Sequence, residues 1–174
     1  MITFRCTQKA RTLLGLSDRD LSDATEGDLY EWFVDVATLD HHRCLLFTHK
    51  VTLYSFWALA VREADRLRFE DLFRHHAVAM LSGDGFDQAE IARLLPAVGH
   101  WFAKTNSRPV TGSMNDRIWN SRHYFAQEGG IGLADVGGIN RLLNRTPMGA
   151  LALGQHMDFP IDVLKRIIRP VGAT

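Results

Sequence analysis

Large side chains alternate with smaller or polar ones between Tyr30 and Ala37. Tyr30, Trp32, Val34 and Val36 fall on one side, and Phe33, Asp35 and Ala37 on the other. A period of two marks a strand with one face against a core. Asp40-His41-His42 then reads as a hairpin turn. Arg43 to Thr48 and Val51 to Trp57 give two further strands joined near His49-Lys50, which makes an antiparallel meander. Leu45 and Phe47 lie on one face of the middle strand and Cys44 and Leu46 on the other. Both faces therefore need cover, from helices or from a second subunit. Ahead of the meander, Ile2 to Cys6 is also β-prone, and Thr7 suits the cap of a short helix from Gln8 to Leu14 that Gly15 stops.

After Ala60 the period becomes helical. Leu67, Phe69, Leu72, Phe73, His76 and Met80 trace an apolar stripe that ends near Gly83 and Gly85. Asp87, with Glu90 three residues on, forms a capping pair for a helix with the stripe Ile91, Leu94, Leu95, Val98 and Phe102. Pro96 predicts a kink or break in it. Past a loop from Thr105 to Gly112, Ser113 and Asp116 suit a reciprocal cap, so a helix is expected from about Ser113 to Gly129-Gly130. A shorter helix near Leu133 to Asn144 and a last one from about Pro160 to Ile168 complete the chain. The expected fold is α+β: one domain over residues 1–174, with a small antiparallel β-sheet of three to four strands in the N-terminal half packed against about five helices.

Composition agrees with one core: 174 residues, of which 46% are hydrophobic. Twenty bases balance twenty acids, which removes the strong positive field that advertises a nucleic-acid binder. From Lys104 on there are nine bases against five acids, so nucleic acid stays possible although the net charge does not support it. Seven carboxylates between Asp18 and Asp35 read as a solvated loop. Met1-Ile-Thr-Phe-Arg5 does not resemble a signal peptide, and no apolar run reaches membrane-spanning length, so a cytoplasmic location away from membranes is expected. Cys6 and Cys44 are too few for a disulfide framework and read as reduced, buried thiols.

The stretch from Lys104 to Asp116 carries the most distinctive chemistry. Arg108, Thr111, Gly112, Ser113, Asn115 and Asp116 combine a base, hydroxyls, a glycine and a helix start, which suits an anion held on free backbone N–H groups. The plainer reading is a capped helix start, since the Gly-Lys-Ser/Thr ending of a P-loop is missing. Eight histidines include the pairs His41-His42 and His75-His76, but adjacent histidines on a helix point about 100° apart and no zinc spacing is present. No metal and no cofactor is expected. Ser113 lacks a Gly-x-Ser-x-Gly elbow, so no nucleophilic triad is expected either.

Arg108-Pro-Val-Thr-Gly-Ser-Met-Asn-Asp116, together with Cys6-Thr-Gln-Lys9 and the hairpin Leu45-Leu-Phe-Thr-His-Lys-Val-Thr-Leu-Tyr54, resembles an uncharacterised family of small bacterial proteins, a domain of unknown function. The signature of that family runs Cys-Thr-Gln-Lys and, past the middle, Asn-Arg-Ser-Val-Leu-Gly-Ser-Met-Asn-Asp. Arg108, Val110 and Gly112 to Asp116 match, whereas Ser107, Pro109 and Thr111 depart from it. The resemblance implies a shared fold and no particular activity.

Two functional expectations follow. The first is a non-enzymatic binding protein of bacterial or mobile-element origin, docking to a protein partner or pairing as a homodimer. Its grounds are the aromatic residues and the excess of Arg, 16 against 4 Lys. The alternative is an enzyme or sensor for a phosphorylated or carboxylated small molecule. In that reading Thr7 and Lys9 converge with Arg108, Thr111 and Ser113 on one cleft.

Overall fold

The computed structural model describes residues 1–23, 27–97, 99–153 and 156–169. Its elements, in order, are β1 (Ile2–Cys6), α1 (Gln8–Leu13), β2 (Glu31–Leu39), β3 (His42–His49), β4 (Ser55–Ala58), α2 (Phe69–Gly83), α3 (Gln88–Leu94), β5 (His100–Lys104), α4 (Arg108–Gln127), α5 (Val136–Asn144), β6 (Met148–Leu153), β7 (His156–Asp158) and α6 (Pro160–Ile168). The main sheet has the order β4-β3-β2-β1-β5, and β6 pairs with β7 as a separate hairpin.

The expected meander is present: β2, β3 and β4 are antiparallel, with Asp40 and His41 at positive φ in the tight turn between the first two. The sheet as a whole is mixed, because β1 runs parallel to both β2 and β5. A parallel neighbour needs a crossover, and α1 supplies it between β1 and β2. The expectation of a purely antiparallel sheet is corrected on this point. β5 was also expected as helix. Pro96 cannot donate to a helical ladder and Gly99 adopts a φ of 73°, so α3 ends at Leu94 and the chain re-enters the sheet. Phe102 then pairs with Phe4 instead of extending a helical stripe. Val98 lies outside the described residues.

Helices cover both faces of the sheet. On one, Ile2, Phe4, Cys6, Trp32, Val34, Leu45, Phe47 and Phe56 pack against α1, α2, α3 and α6. Phe73 of α2 sits at the centre, its ring 4.8 Å from Phe4, 5.1 Å from Trp32 and 5.2 Å from Phe47. On the other, Phe33, Leu46 and Trp57 meet Val110, Met114, Ile118 and Phe125 of α4 and Ile139 and Leu143 of α5. The doubly apolar strand that suggested a second subunit is thus covered by the chain's own helices.

The exposed edge of β4 has its own cover. Asn144 accepts from Ser55 N (2.7 Å) and donates to Ser55 O (2.8 Å), and Asn140, one turn earlier in α5, accepts from Trp57 N (3.0 Å). Two asparagines at i and i+4 lie on one helix face, so they take the place of a further strand and satisfy backbone groups that an edge would leave bare.

Candidate functional site

The helix starts of α1 and α4 follow adjacent strands, since Cys6 of β1 is in register with Lys104 of β5. They leave to opposite faces: Ala10 and Leu13 of α1 pack with the aromatic face, and Val110 and Met114 of α4 with the other. Thr7 is the N-cap of α1. Its Oγ1 accepts from Ala10 N (3.3 Å) and donates to Asp35 Oδ1 (2.6 Å), which ties the helix start to β2. With Ala10 and Leu13 facing inward, Gln8, Lys9 and Thr12 are left at the surface.

Those three residues form one wall of a trough at the carboxyl end of β2. Thr38 of β2 and its cross-strand partner Arg43 of β3 form the floor, and Arg122 of α4 closes the far side. The trough encloses about 420 Å³. A second depression of about 590 Å³ shares Leu13 and Arg43 with it, and adds His41, His42, Arg62 and Glu63. The backbone bends to make this floor: His41 and Ala60 both adopt positive φ, at 68° and 54°. Asp40 Oδ2 accepts from Ile131 N (2.6 Å), which pins the β2–β3 turn to the segment after α4.

Four permanent cations therefore line the joined depressions, Lys9, Arg43, Arg62 and Arg122, with Glu63 as the single carboxylate among the lining residues. Several bases elsewhere are paired, Arg5 with Glu31 (2.5 Å), Lys50 with Asp28 and Glu31 (2.7 and 2.9 Å), Arg66 with Asp20 (2.5 Å) and Arg145 with Asp84 (3.0 Å), while others such as Arg108 and Arg117 have no ion pair among the described residues. Among the described residues, the four trough cations make no ion pair. Unpaired like charges facing one cleft raise the local potential for an anion well above that of a neutral molecule as a whole.

The segment from Arg108 to Asp116 is placed differently from its expectation. α4 starts at Arg108, capped by Ser107, not at Ser113. Pro109 in the first turn fits that start, because it has no N–H to lose. Thr111 Oγ1 donates to Ser107 O and Arg108 O (3.2 and 3.0 Å), and buried Ser113 Oγ donates to Pro109 O (3.0 Å). Their hydroxyls thus turn back onto the helix. Gly112 is exposed within the helix with open space around it, and Arg108, Asn115 and Asp116 are exposed along it. Asp116 borders a separate depression of about 330 Å³ with Trp119, Asn120, Pro147 and Met148. Thr7 and Lys9 stand together at α1, whereas the α4 residues stand on the opposite layer. Arg43, Arg62 and Arg122 had no signal in the sequence, since each belongs to a different element.

Two buried groups complete the electrostatics. Arg117 Nη1 donates to Leu143 O (2.9 Å) near the carboxyl end of α5, a favourable place for a cation, but among the described residues its Nε and Nη2 have no hydrogen-bond partner, and burial pulls its pKa down to about 10. Burial pushes the Cys6 thiol well up, which suits an inert core thiol and not a nucleophile. Among the described residues no group of three His, Cys, Asp or Glu could hold a metal ion, and no helix is long and apolar enough to cross a membrane.

The chain belongs to the DUF6933 family, a domain of unknown function, whose model matches residues 3–163. That span takes in the main sheet apart from Ile2, both walls of the trough and α4. No curated protein and no solved structure matches the chain.

Proposed function

We propose that this chain is a binding protein whose ligand is an anion carrying several negative charges, seated in the trough between α1 and α4. The reading is supported above all by one observation: Lys9, Arg43, Arg62 and Arg122 face joined depressions and make no ion pair among the described residues. Holding four cations together costs free energy in the empty protein, and an anion bound there relieves it. Of the residues expected to bind an anion, Lys9 belongs to this site directly and Thr7 fixes the helix that carries it. Thr38 adds a hydroxyl donor beside the guanidinium and ammonium groups, while the Thr12 hydroxyl donates to Gln8 O (3.0 Å).

Tripolyphosphate is a suitable probe. At a hundred times its dissociation constant a ligand adds about 2.7 kcal/mol to native-state stability, which for a chain of this size is a rise in Tm of about 5–10 °C. The combined variant Lys9→Gln, Arg43→Gln and Arg122→Gln is expected to fold and to lose the rise. Arg108→Gln is expected to keep it. A wild type without the rise, or a combined variant that retains it, contradicts the reading.

A further inference from the structure

Trp119 is 72% exposed, while Trp32 and Trp57 are completely buried. At about 100° per residue, Arg108, Asn115, Trp119 and Arg122 fall along one line on the outward face of α4, about 21 Å from end to end. Trp119 and Arg122 are neighbours at i and i+3 on that line, and Arg122 is also a wall of the trough. The basic trough therefore continues along α4 onto an open aromatic surface with a second base, Arg108, at its far end. Neither Arg108 nor Arg122 makes an ion pair among the described residues.

We infer that the anion is a single-stranded nucleic acid, which takes the trough with its phosphates and lays bases on Trp119; this rests on the trough being an anion site. A strand repeats charge and flat apolar surface in alternation, and the arrangement of Arg122, Trp119 and Arg108 matches that repeat. A free nucleotide carries its phosphates on one base and leaves Arg108 without use. A duplex keeps the faces of its bases stacked inside, so Trp119 has nothing to stack on. Beside Trp119 the depression bordered by Pro147, Met148 and Asn120 offers a flat, partly apolar seat for a base. Asp116, the carboxylate of that depression, lies on the flank of α4 away from Arg122, clear of the path of the backbone phosphates.

Fluorescence anisotropy of a labelled oligothymidylate tests this, with the tripolyphosphate thermal shift measured on the same proteins. The oligonucleotide is expected to bind, with affinity falling as salt rises. Trp119→Ala is expected to weaken it about tenfold while leaving the tripolyphosphate shift unchanged, and Trp119→Phe to restore most of the loss. If the tripolyphosphate shift is present but Trp119→Ala binds the oligonucleotide as wild type does, or a duplex of the same sequence binds equally well, the nucleic-acid inference is overturned and the trough stands. If neither probe binds, both readings fall.

Discussion

Phe4 and Arg5 are consecutive residues of β1 and point to opposite sides of the sheet. Phe4 meets Phe69, Phe73, Phe47 and Phe102, all within 6.3 Å between ring centres. Arg5 is buried too, and is held by two bonds to Glu31 (2.5 and 3.1 Å) and one to Lys104 O (3.0 Å). The first face is held by apolar area and ring packing, where volume matters most. The second also has an apolar cluster, from Phe33, Leu46 and Trp57 to α4 and α5, but sets into it a limited number of named polar partners, where loss of one leaves the other unsatisfied in a dry interior. The lesson is that one sheet can join a face held by apolar packing to a face where apolar packing is interlocked with buried polar pairs that tolerate no apolar exchange, and that the surface residues proposed to bind the ligand are hung from the carboxyl edge where the two faces meet.

The largest effect is expected on the aromatic face. Phe73→Ala removes the ring at the centre of the cluster and should cost about 3–5 kcal/mol in urea unfolding, whereas Phe73→Leu should cost much less. Equal losses from the two would show that packing there is not volume-limited.

His49 is the polar exception on that face, and it sharpens the contrast. Its Nε2 lies 2.9 Å from Leu29 O, which can only accept, and Nδ1 receives Thr52 N at 3.3 Å, so the ring is neutral with its proton on Nε2. Burial lowers its pKa from 6.5 to about 4. The unfolded chain therefore binds a proton between pH 6.5 and 4 that the folded chain refuses. Stability from this group is full above pH 6.5 and declines as pH falls toward 4, by about 3 kcal/mol in all. His49→Gln should flatten that part of the stability profile. An unchanged slope would place the titration elsewhere.

At the β4 edge, Asn144→Ala leaves Ser55 N and Ser55 O without their partner and should cost about 2 kcal/mol. Asn144→Leu should recover little, because the unmet group is on the backbone of β4. If leucine restores stability fully, the clamp on the edge is not what the asparagine supplies.

The meander is legible in the sequence because large side chains alternate from Tyr30 to Val36, β3 is an apolar run of strand length, and the Asp40-His41 turn is local. The Asp87–Glu90 cap was legible for the same reason, and both of its bonds form at 2.8 Å. The cap of α4 lies six residues before the expected one. Ser107 and Ser113 both stand where a cap could be, and the decisive clue, Pro109 in the first turn, was outweighed by Asp116 three residues after Ser113. β5 was hidden because its five residues follow a helical stripe without a change of composition, and only Pro96 and Gly99 mark the break. The parallel placement of β1 has no local signal at all. For the same reason the trough was nearly invisible: Lys9, Arg43, Arg62 and Arg122 come from four separate parts of the chain and meet only once the sheet has formed.

The most direct test of the central claim is residue-resolved: amide chemical shifts of the ¹⁵N-labelled protein during a titration with tripolyphosphate. The account predicts that Lys9, Thr12, Thr38, Arg43 and Arg122 shift together and saturate with one dissociation constant. Shifts concentrated at residues 108–116, or spread over all exposed bases without saturation, would contradict it.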